Sequence, residues 1–349
     1  MKIISIIGAR PQFIKHAPIE KALSNHFDSI TIHTGQHYDK NMSTIFFDQL
    51  GIKPPKYLLQ VGSGNHGAQT GKMMEVIEPI LLDEKPNAAL VYGDTNSTLA
   101  GALVASKLNI PVIHLEAGLR SFNRKMPEEI NRVLTDHISE ILFAPSDKAL
   151  ENLQNEGIKK NVFKTGDVMC DMIHLSKKAI SKPAIGNQFY YATIHRPYNT
   201  DNKIRLMSVL NSFQSLKHKV KFAIHPRTRK KMQDWGINNS LYSNIEFIDP
   251  VSYFDNISFL SHSEALITDS GGMQKEAYIL QKKCVTIRTE TEWIETLVGG
   301  WNTLVFDELD KIQELLNSYP NSHIDNLYGD GKASEQIVKT IFKCLKQNS

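Results

Sequence analysis

Residues 266–277 run Leu266-Ile267-Thr268-Asp269-Ser270-Gly271-Gly272-Met273-Gln274-Lys275-Glu276-Ala277. The apolar start is a short strand signal, the Asp-Ser-Gly-Gly stretch is a turn, and the residues beyond it favour a helix. An apolar strand that passes through a tight turn into a helix is the repeating unit of a parallel sheet covered on both faces. The glycines allow close approach to the backbone. The helix start offers unsatisfied N–H groups and the positive end of a dipole, which suits an anion. A capped helix with a glycine-rich entry also accounts for Ser270, Gly271 and Gly272 taken alone.

The same unit recurs on both sides of this stretch. Upstream, apolar runs at 2–7, 29–33, 88–92, 111–115 and 140–144 alternate with helix signals such as 13–23, 97–108 and 148–154. A second block has runs at 189–194, 220–224, 245–248, 265–268 and 284–287, with helix signals at 204–216, 251–261 and 273–280. Residues 178–187, with Pro183, Gly186 and several Ser and Lys, read as a linker. With 349 residues the chain exceeds the roughly 250–300 that one core sustains. The fold class expected is α/β, with two Rossmann-like, doubly wound parallel-sheet domains facing a cleft. The first domain spans 1–168 and the second 169–333, and a helix at about 334–349 returns to the first. Such sheets bind ligands at the carboxyl ends of their strands.

The composition excludes several classes. A hydrophobic fraction of 41% and a charged fraction of 22% are those of a globular protein. The net charge of +3 comes without any Lys/Arg block, so no nucleic-acid partner is expected. No apolar run is long enough for a membrane span, and the start MKIISIIGARPQ reads as a buried strand rather than a signal peptide. Three dispersed cysteines, Cys170, Cys284 and Cys344, give neither a disulfide framework nor a metal site, which suits a cytoplasmic protein. His33 and His37 flank Gly35 in a turn and do not form a helical metal pair.

Several strand ends carry charged side chains. The first run ends in Gly8-Ala9-Arg10-Pro11-Gln12-Phe13-Ile14-Lys15, which is not the GxGxxG of a dinucleotide site. Arg10 and Lys15 there face an anion or are simply solvated. Asp94 follows Val91-Tyr92-Gly93 and Glu116 follows His114-Leu115, while Glu128 falls in the first turn of a helix begun by Pro127. Singly each acid reads as a helix cap, an ion-pair partner of Arg120 or Arg132, or a solvated helix start. Gathered at one sheet edge they are the material of acid–base chemistry. In the second block His195 and His225 each close a strand run and are followed by cations, a pattern suited to phosphate.

Together the stretches GARPQFIKHAP, VYGDTNSTLA, HLEAGLRS, PEEINR, TIHRPYN, TDSGGMQKEA and RTETEWIET resemble the non-hydrolysing UDP-N-acetylglucosamine 2-epimerase family, in order and over nearly the whole chain. The resemblance implies the two-domain arrangement called GT-B, a homodimer, and no cofactor or metal. Within the family, GARPQFIK, TETEWIET, HPRTR and the late LYGDGKAS are similar to enzymes acting on UDP-2,3-diacetamido-2,3-dideoxyglucuronic acid, whose manno product serves bacterial surface polysaccharide such as lipopolysaccharide O-antigen. The stretches 36–39 and 65–73 depart from the pattern linked to activation by a second substrate molecule, so that regulation is not expected.

C2 of a 2-acetamido sugar has no adjacent carbonyl, so its proton is not readily removed directly. Without a dinucleotide fingerprint, transient oxidation is disfavoured. The resemblance implies anti elimination of UDP to a 2-acetamidoglycal, then re-addition after protonation of the opposite face, with domain closure retaining the intermediate. Carried over by motif, Asp94, Glu116 and Glu128 do the acid–base work, His195 supports the diphosphate, and Lys15 neutralises charge near the sugar. Arg10, His225, Ser270, Gly271, Gly272 and Glu276 bind UDP. A carboxylate on C5 of the sugar calls for an arginine, and Arg120, Arg124, Arg227 and Arg229 all qualify. The alternatives are a UDP-N-acetylglucosamine to UDP-N-acetylmannosamine epimerase, a hydrolysing epimerase that releases UDP, a GT-B glycosyltransferase, and a UDP-sugar sensor. Deuterium entry at C2 in heavy water separates the epimerases from the last two.

Overall fold

The computed structural model describes residues 1–35, 47, 51–179 and 188–347. Residues 36–39, and most of the stretch read as a linker, lie outside these, as does the side chain of Arg10. The chain divides into two compact units, Met1–His174 with Asn326–Ser349, and Leu175–Asp325.

In the first unit the elements run β1 Lys2–Ile7, α1 Arg10–Leu23, β2 Asp28–His33, β3 Tyr57–Leu58, α2 His66–Glu84, β4 Ala88–Tyr92, α3 Asn96–Lys107 and β5 Val112–Leu115. They continue with α4 Pro127–Ile138, β6 Ile141–Ala144, α5 Asp147–Asn155, β7 Val162–Lys164 and α6 Val168–Ala179, whose residues from Leu175 on belong to the second unit. The strands form one parallel sheet in the order β3-β2-β1-β4-β5-β6-β7. Ile3, Ile4, Ile6 and Ile7 of β1 are all fully buried, although successive side chains point to opposite faces. Both faces of the sheet are therefore covered, and each such side chain contributes about 1.5–3 kcal/mol by leaving water. On one face Ile4 and Ile6 pack with Met73, Ile77 and Leu81 of α2 and with Ala100, Ala102 and Val104 of α3.

The second unit runs β8 Phe189–Thr193, α7 Pro197–Thr200, α8 Lys203–Gln214, β9 Lys219–Ala223, α9 Pro226–Asp234, β10 Ile245–Ile248, α10 Tyr253–His262 and β11 Ala265–Thr268. Beyond these lie α11 Gly271–Ile279, β12 Lys283–Ile287, β13 Asn302–Val305 and α12 Ile312–Asn317. Its parallel sheet has the order β10-β9-β8-β11-β12-β13. The core lies on both faces. Leu206, Val209 and Phe213 of α8 meet Phe222, Ile267 and Val285 on one side, while Leu266 and Cys284 pack with Met273 and Ala277 on the other.

Each sheet thus reverses its winding once, between β1 and β4 in the first unit and between β8 and β11 in the second. The crevice at such a switch point is where doubly wound sheets take ligands. The last helix, α13 Ala333–Gln347, belongs to the first unit, where Phe342 meets Phe27 with ring centroids 5.9 Å apart. Its start is pinned by the buried Asp171 carboxylate, which accepts from Ala333 N at 3.1 Å, Ser334 N at 2.8 Å and Ser334 Oγ at 2.5 Å.

Candidate active site

At the first switch point, β1 passes through Gly8 and Ala9 into α1, and β4 passes through Gly93 and Asp94 into α3. The Gln12 side chain joins the two turns. Its oxygen accepts from Gly8 N at 2.7 Å and Ala9 N at 3.0 Å, and its nitrogen donates to Tyr92 O at 2.8 Å. Lys15, on the next turn of α1, reaches across β4 and ion-pairs with Glu116 beyond the end of β5. Gly93 lies against this pair: a Cβ on it would stand 3.2 Å from Glu116 Oε2 and 3.9 Å from Lys15 Nζ. Gly93 has φ +61°, so no other residue takes its place without strain. Glu116 itself has φ 68°, rare for a side chain of its size, and such strain costs about 1–3 kcal/mol and gathers at functional sites. A small cavity beside the pair is lined by Tyr92, Leu115, Phe143 and Ile337 together with the buried Asp167.

Asp94 is ion-paired with Arg132 of α4, and its carbonyl accepts from Asn131 Nδ2 at 2.9 Å. Glu128 stands three and four residues before these two partners and so shares their helix face. It is half-buried in the first turn of α4, where a carboxylate meets the positive dipole end. The neighbouring Glu129 is buried instead and accepts from Ser121 N and Phe122 N, both at 2.9 Å. Of the arginines considered for a sugar carboxylate, Arg120 is buried and spent on Asp136 and Glu156, at 2.7 and 2.6 Å. Arg227 pairs with Asp201 at 2.5 Å and Arg229 with Asp249 at 2.6 Å. Arg124 is exposed, in the segment between Glu116 and Glu128.

The second switch point is built around Asp269, which is fully buried. Its carboxylate accepts from His195 N at 3.1 Å, Arg196 N at 2.9 Å and Asn199 Nδ2 at 3.1 Å, and lies 3.3 Å from His195 Nδ1. Asp269 therefore organises the turn after β8. Ser270, Gly271 and Gly272 carry the open part of the motif. Ser270 is the N-cap of α11 but makes no side-chain cap bond, and a Cβ on Gly272 would meet nothing within 4 Å. On the Gly272 side the helix start is open to an anion. Glu276 is buried one turn further on. A Cβ on Gly271 would lie 2.4 Å from Glu292 Oε1, because the 288–293 segment folds over the helix start. That segment is held by Arg288 Nη1 on Glu292 at 3.0 Å and by Lys275 Nζ, 3.7 Å from the centroid of the Trp293 ring.

His195 is 35% exposed, and its pKa lies below the ordinary imidazole value. Burial is the main cause; Arg196 and Arg288 add to it and Asp269 opposes it. The His225 ring lies 5.9 Å from that of His195. Its Nδ1 accepts from Arg227 N at 3.2 Å. Asp136 and the Lys275–Trp293 contact were not singled out by sequence reasoning, while Asp269 and His114 were quoted within motifs without a role of their own. Nothing marked Trp293 as the cover of a lysine.

A larger cavity opens at the amino ends of β1 and β2, where Glu84 pairs with both Lys2 and Lys56. It is at the opposite strand ends from these turns. Among the described residues no group of His, Cys, Asp and Glu is arranged to hold a metal, and no helix is long and apolar enough to cross a membrane.

Two doubly wound sheets, each with an acid- or glycine-bearing turn at its switch point, define a ligand-binding α/β enzyme of the Rossmann type. Residues 21–342 match the family described as UDP-N-acetylglucosamine 2-epimerase. The UDP-N-acetylglucosamine 2-epimerase homolog of Methanococcus maripaludis is 50% identical, over 98% of this chain and 99% of its own. The UDP-2,3-diacetamido-2,3-dideoxy-D-glucuronate 2-epimerase of Pseudomonas aeruginosa is 47% identical, over 98% of this chain and 100% of its own. The crystal structure of Methanocaldococcus jannaschii UDP-GlcNAc 2-epimerase in complex with UDP-GlcNAc and UDP matches with a TM-score of 0.90 at 44% identity, covering 98% of this chain and 100% of that one. The chain belongs to the UDP-N-acetylglucosamine 2-epimerase family and is an isomerase, a UDP-sugar 2-epimerase.

Proposed function

We propose that the protein inverts C2 of a UDP-2-acetamido sugar by elimination and re-addition of UDP, and that its preferred substrate is UDP-2,3-diacetamido-2,3-dideoxyglucuronic acid. The observation that carries the chemistry is the crowding of Lys15, Glu116, Gly93 and Asp94 at one switch point. In the first half-reaction a carboxylate takes the C2 proton, the C1–O bond breaks, and its electron pair leaves with UDP. In the second, an acid protonates C2 on the other face and UDP oxygen returns to C1. Electrons and atoms balance without an oxidant. Asp94, Glu116 and Glu128 supply the base and the acid, and Lys15 offsets charge near the sugar. Ser270, Gly271 and Gly272 at the start of α11, with His195, His225 and Arg10, hold the diphosphate as it gains charge, and Glu276 takes the ribose hydroxyls.

The uronic acid is supported by the 47% identity to the Pseudomonas aeruginosa enzyme and by Arg124, an exposed arginine in the segment between Glu116 and Glu128. The second reading, UDP-N-acetylglucosamine, is supported by the 44% identity to the Methanocaldococcus jannaschii enzyme. A homodimer in the cytoplasm goes with either. The test is a panel of both UDP-sugars in heavy water, read as deuterium at C2. Turnover of UDP-N-acetylglucosamine alone refutes the substrate preference, and no C2 label in either sugar refutes the chemistry.

A further inference from the structure

The chemistry proposed above leaves unused a histidine that touches the turn before Asp94. His114, on β5, is fully buried. Its Nδ1 is 2.7 Å from Asp136 Oδ1 and its Nε2 is 2.8 Å from Gly93 O. A carbonyl and an ionised carboxylate only accept, so both ring nitrogens donate and the ring is an imidazolium. Asp136 stays ionised: burial pushes its pKa up, but His114 and Arg120 together bring it below the usual carboxylate range. The other Asp136 oxygen accepts from Gly118 N at 3.1 Å and from Arg120 Nη1 at 2.7 Å.

This arrangement ties down both acid-bearing turns. Gly93 immediately precedes Asp94, and Gly118 lies two residues after Glu116. The Gly93 carbonyl is on His114, while the space a side chain would take at Gly93 is bounded by Glu116 and Lys15. We infer that His114 is a positioning residue for the C2 chemistry, its Nε2–H holding the Gly93–Asp94 turn in register with Glu116 and its positive charge lying behind the carboxylates. The inference rests on the reading of Asp94 and Glu116 as the groups that handle the C2 proton. The charged groups around it are Asp136, Arg120 and Glu156 on one side, with His137 on Glu156 at 3.1 Å. On the other side of Gly93 are Glu116 with Lys15, and Asp94 with Arg132 and Glu129.

Two near-isosteric variants separate positioning from stability. His114→Gln keeps a donor where Nε2 stood, toward Gly93, and loses the charge. His114→Asn keeps a donor where Nδ1 stood, toward Asp136, and releases Gly93. Both are assayed with UDP-N-acetylglucosamine and with the UDP-diacetamido uronic acid for kcat, KM, C2 deuterium uptake, the pH profile of kcat, and Tm. His114→Asn is expected to lose about 10²-fold in kcat with KM little changed, the cost of a misplaced catalytic group. His114→Gln is expected to keep kcat within about tenfold, with the acid limb of its profile moved to higher pH, because removing a cation makes nearby carboxylates easier to protonate. If His114→Asn keeps wild-type kcat, or both variants lose activity only in step with Tm and with unmoved limbs, the inference is overturned. Asp94→Asn and Glu116→Gln run in parallel. If they retain C2 exchange, the acid–base reading fails and takes the inference with it. If they are inactive while His114→Asn is active, only the inference fails.

Discussion

Acid should unfold the first unit through His16, and the size of the effect follows from how the ring is held. His16 is fully buried, with Nδ1 2.7 Å from Tyr92 Oη and Nε2 2.9 Å from Thr31 Oγ1. Burial lowers its pKa from 6.5 to about 3. Between those values the unfolded chain binds a proton that the folded unit refuses, so stability is full above 6.5 and falls as pH falls. Each pH unit in that window withdraws about 1.4 kcal/mol, which makes about 2 kcal/mol at pH 5. Burial lowers His33 to about 4, and it adds a loss of the same sign. The depressed carboxylates, such as Glu84 lowered from 4.5 to about 2, lose their contribution only below about 4.5 and leave the interval from pH 7.5 to pH 5 to buried histidines such as these. His16→Gln removes the titration while keeping a polar side chain. Urea unfolding at pH 7.5 and pH 5 reads the difference by circular dichroism. All three tryptophans, Trp235, Trp293 and Trp301, belong to the second unit, so their fluorescence marks its transition separately. The variant should lose about 2 kcal/mol less than wild type over this interval in the first-unit transition. An equal loss in both proteins refutes the assignment of the pH dependence to His16.

Other outcomes follow from the site. Asp94→Asn and Glu116→Gln should each lower C2 exchange by about 10²–10⁴-fold, the usual worth of a general acid or base, while calorimetry finds UDP binding preserved. Gly272→Ala meets nothing within 4 Å, so its melting temperature should match wild type, and an approximately tenfold loss of UDP affinity would come from crowding the anion. Gly271→Ala meets Glu292 Oε1 at 2.4 Å and should cost both affinity and melting temperature. Asp171→Asn weakens the anchor of α13 and should cost about 1–3 kcal/mol, seen as faster proteolysis near residues 326–333.

The fold was legible because its central strands are apolar on both faces. The runs at 88–92 and 265–268 coincide with β4 and β11, the strands that carry the Asp94 and Asp269 turns. Three of the edge strands were less visible, β10 being the exception: β3 is two residues long, and β7 and β13 carry partly exposed side chains that do not form apolar runs. In the site, residue type and strand-end position pointed to Asp94, Glu116 and Ser270, because turns at strand ends are local features. The partners that hold them are not local. Arg132 reaches Asp94 across 38 positions, Asp136 reaches His114 across 22, and Asp269 reaches the His195 turn across 74. Lys275 in the GGMQKEA helix is buried on an indole supplied from beyond β12. Only the three-dimensional packing distinguishes an arginine spent on structure, such as Arg120, from one left exposed, such as Arg124.

The position of α13 bears on how the chain is made. The second unit is one continuous stretch, whereas the first needs α13 against α1 and the Asp171 anchor at its start. During synthesis the amino-terminal sheet emerges first, but its last helix leaves the ribosome only after the whole of the second unit. The usual order, in which the amino-terminal domain matures before the next one appears, is therefore reversed for its final step. Until then Phe27 and the α1 surface lack their cover, and a nascent chain stalled within residues 175–325 would present that apolar patch to chaperones.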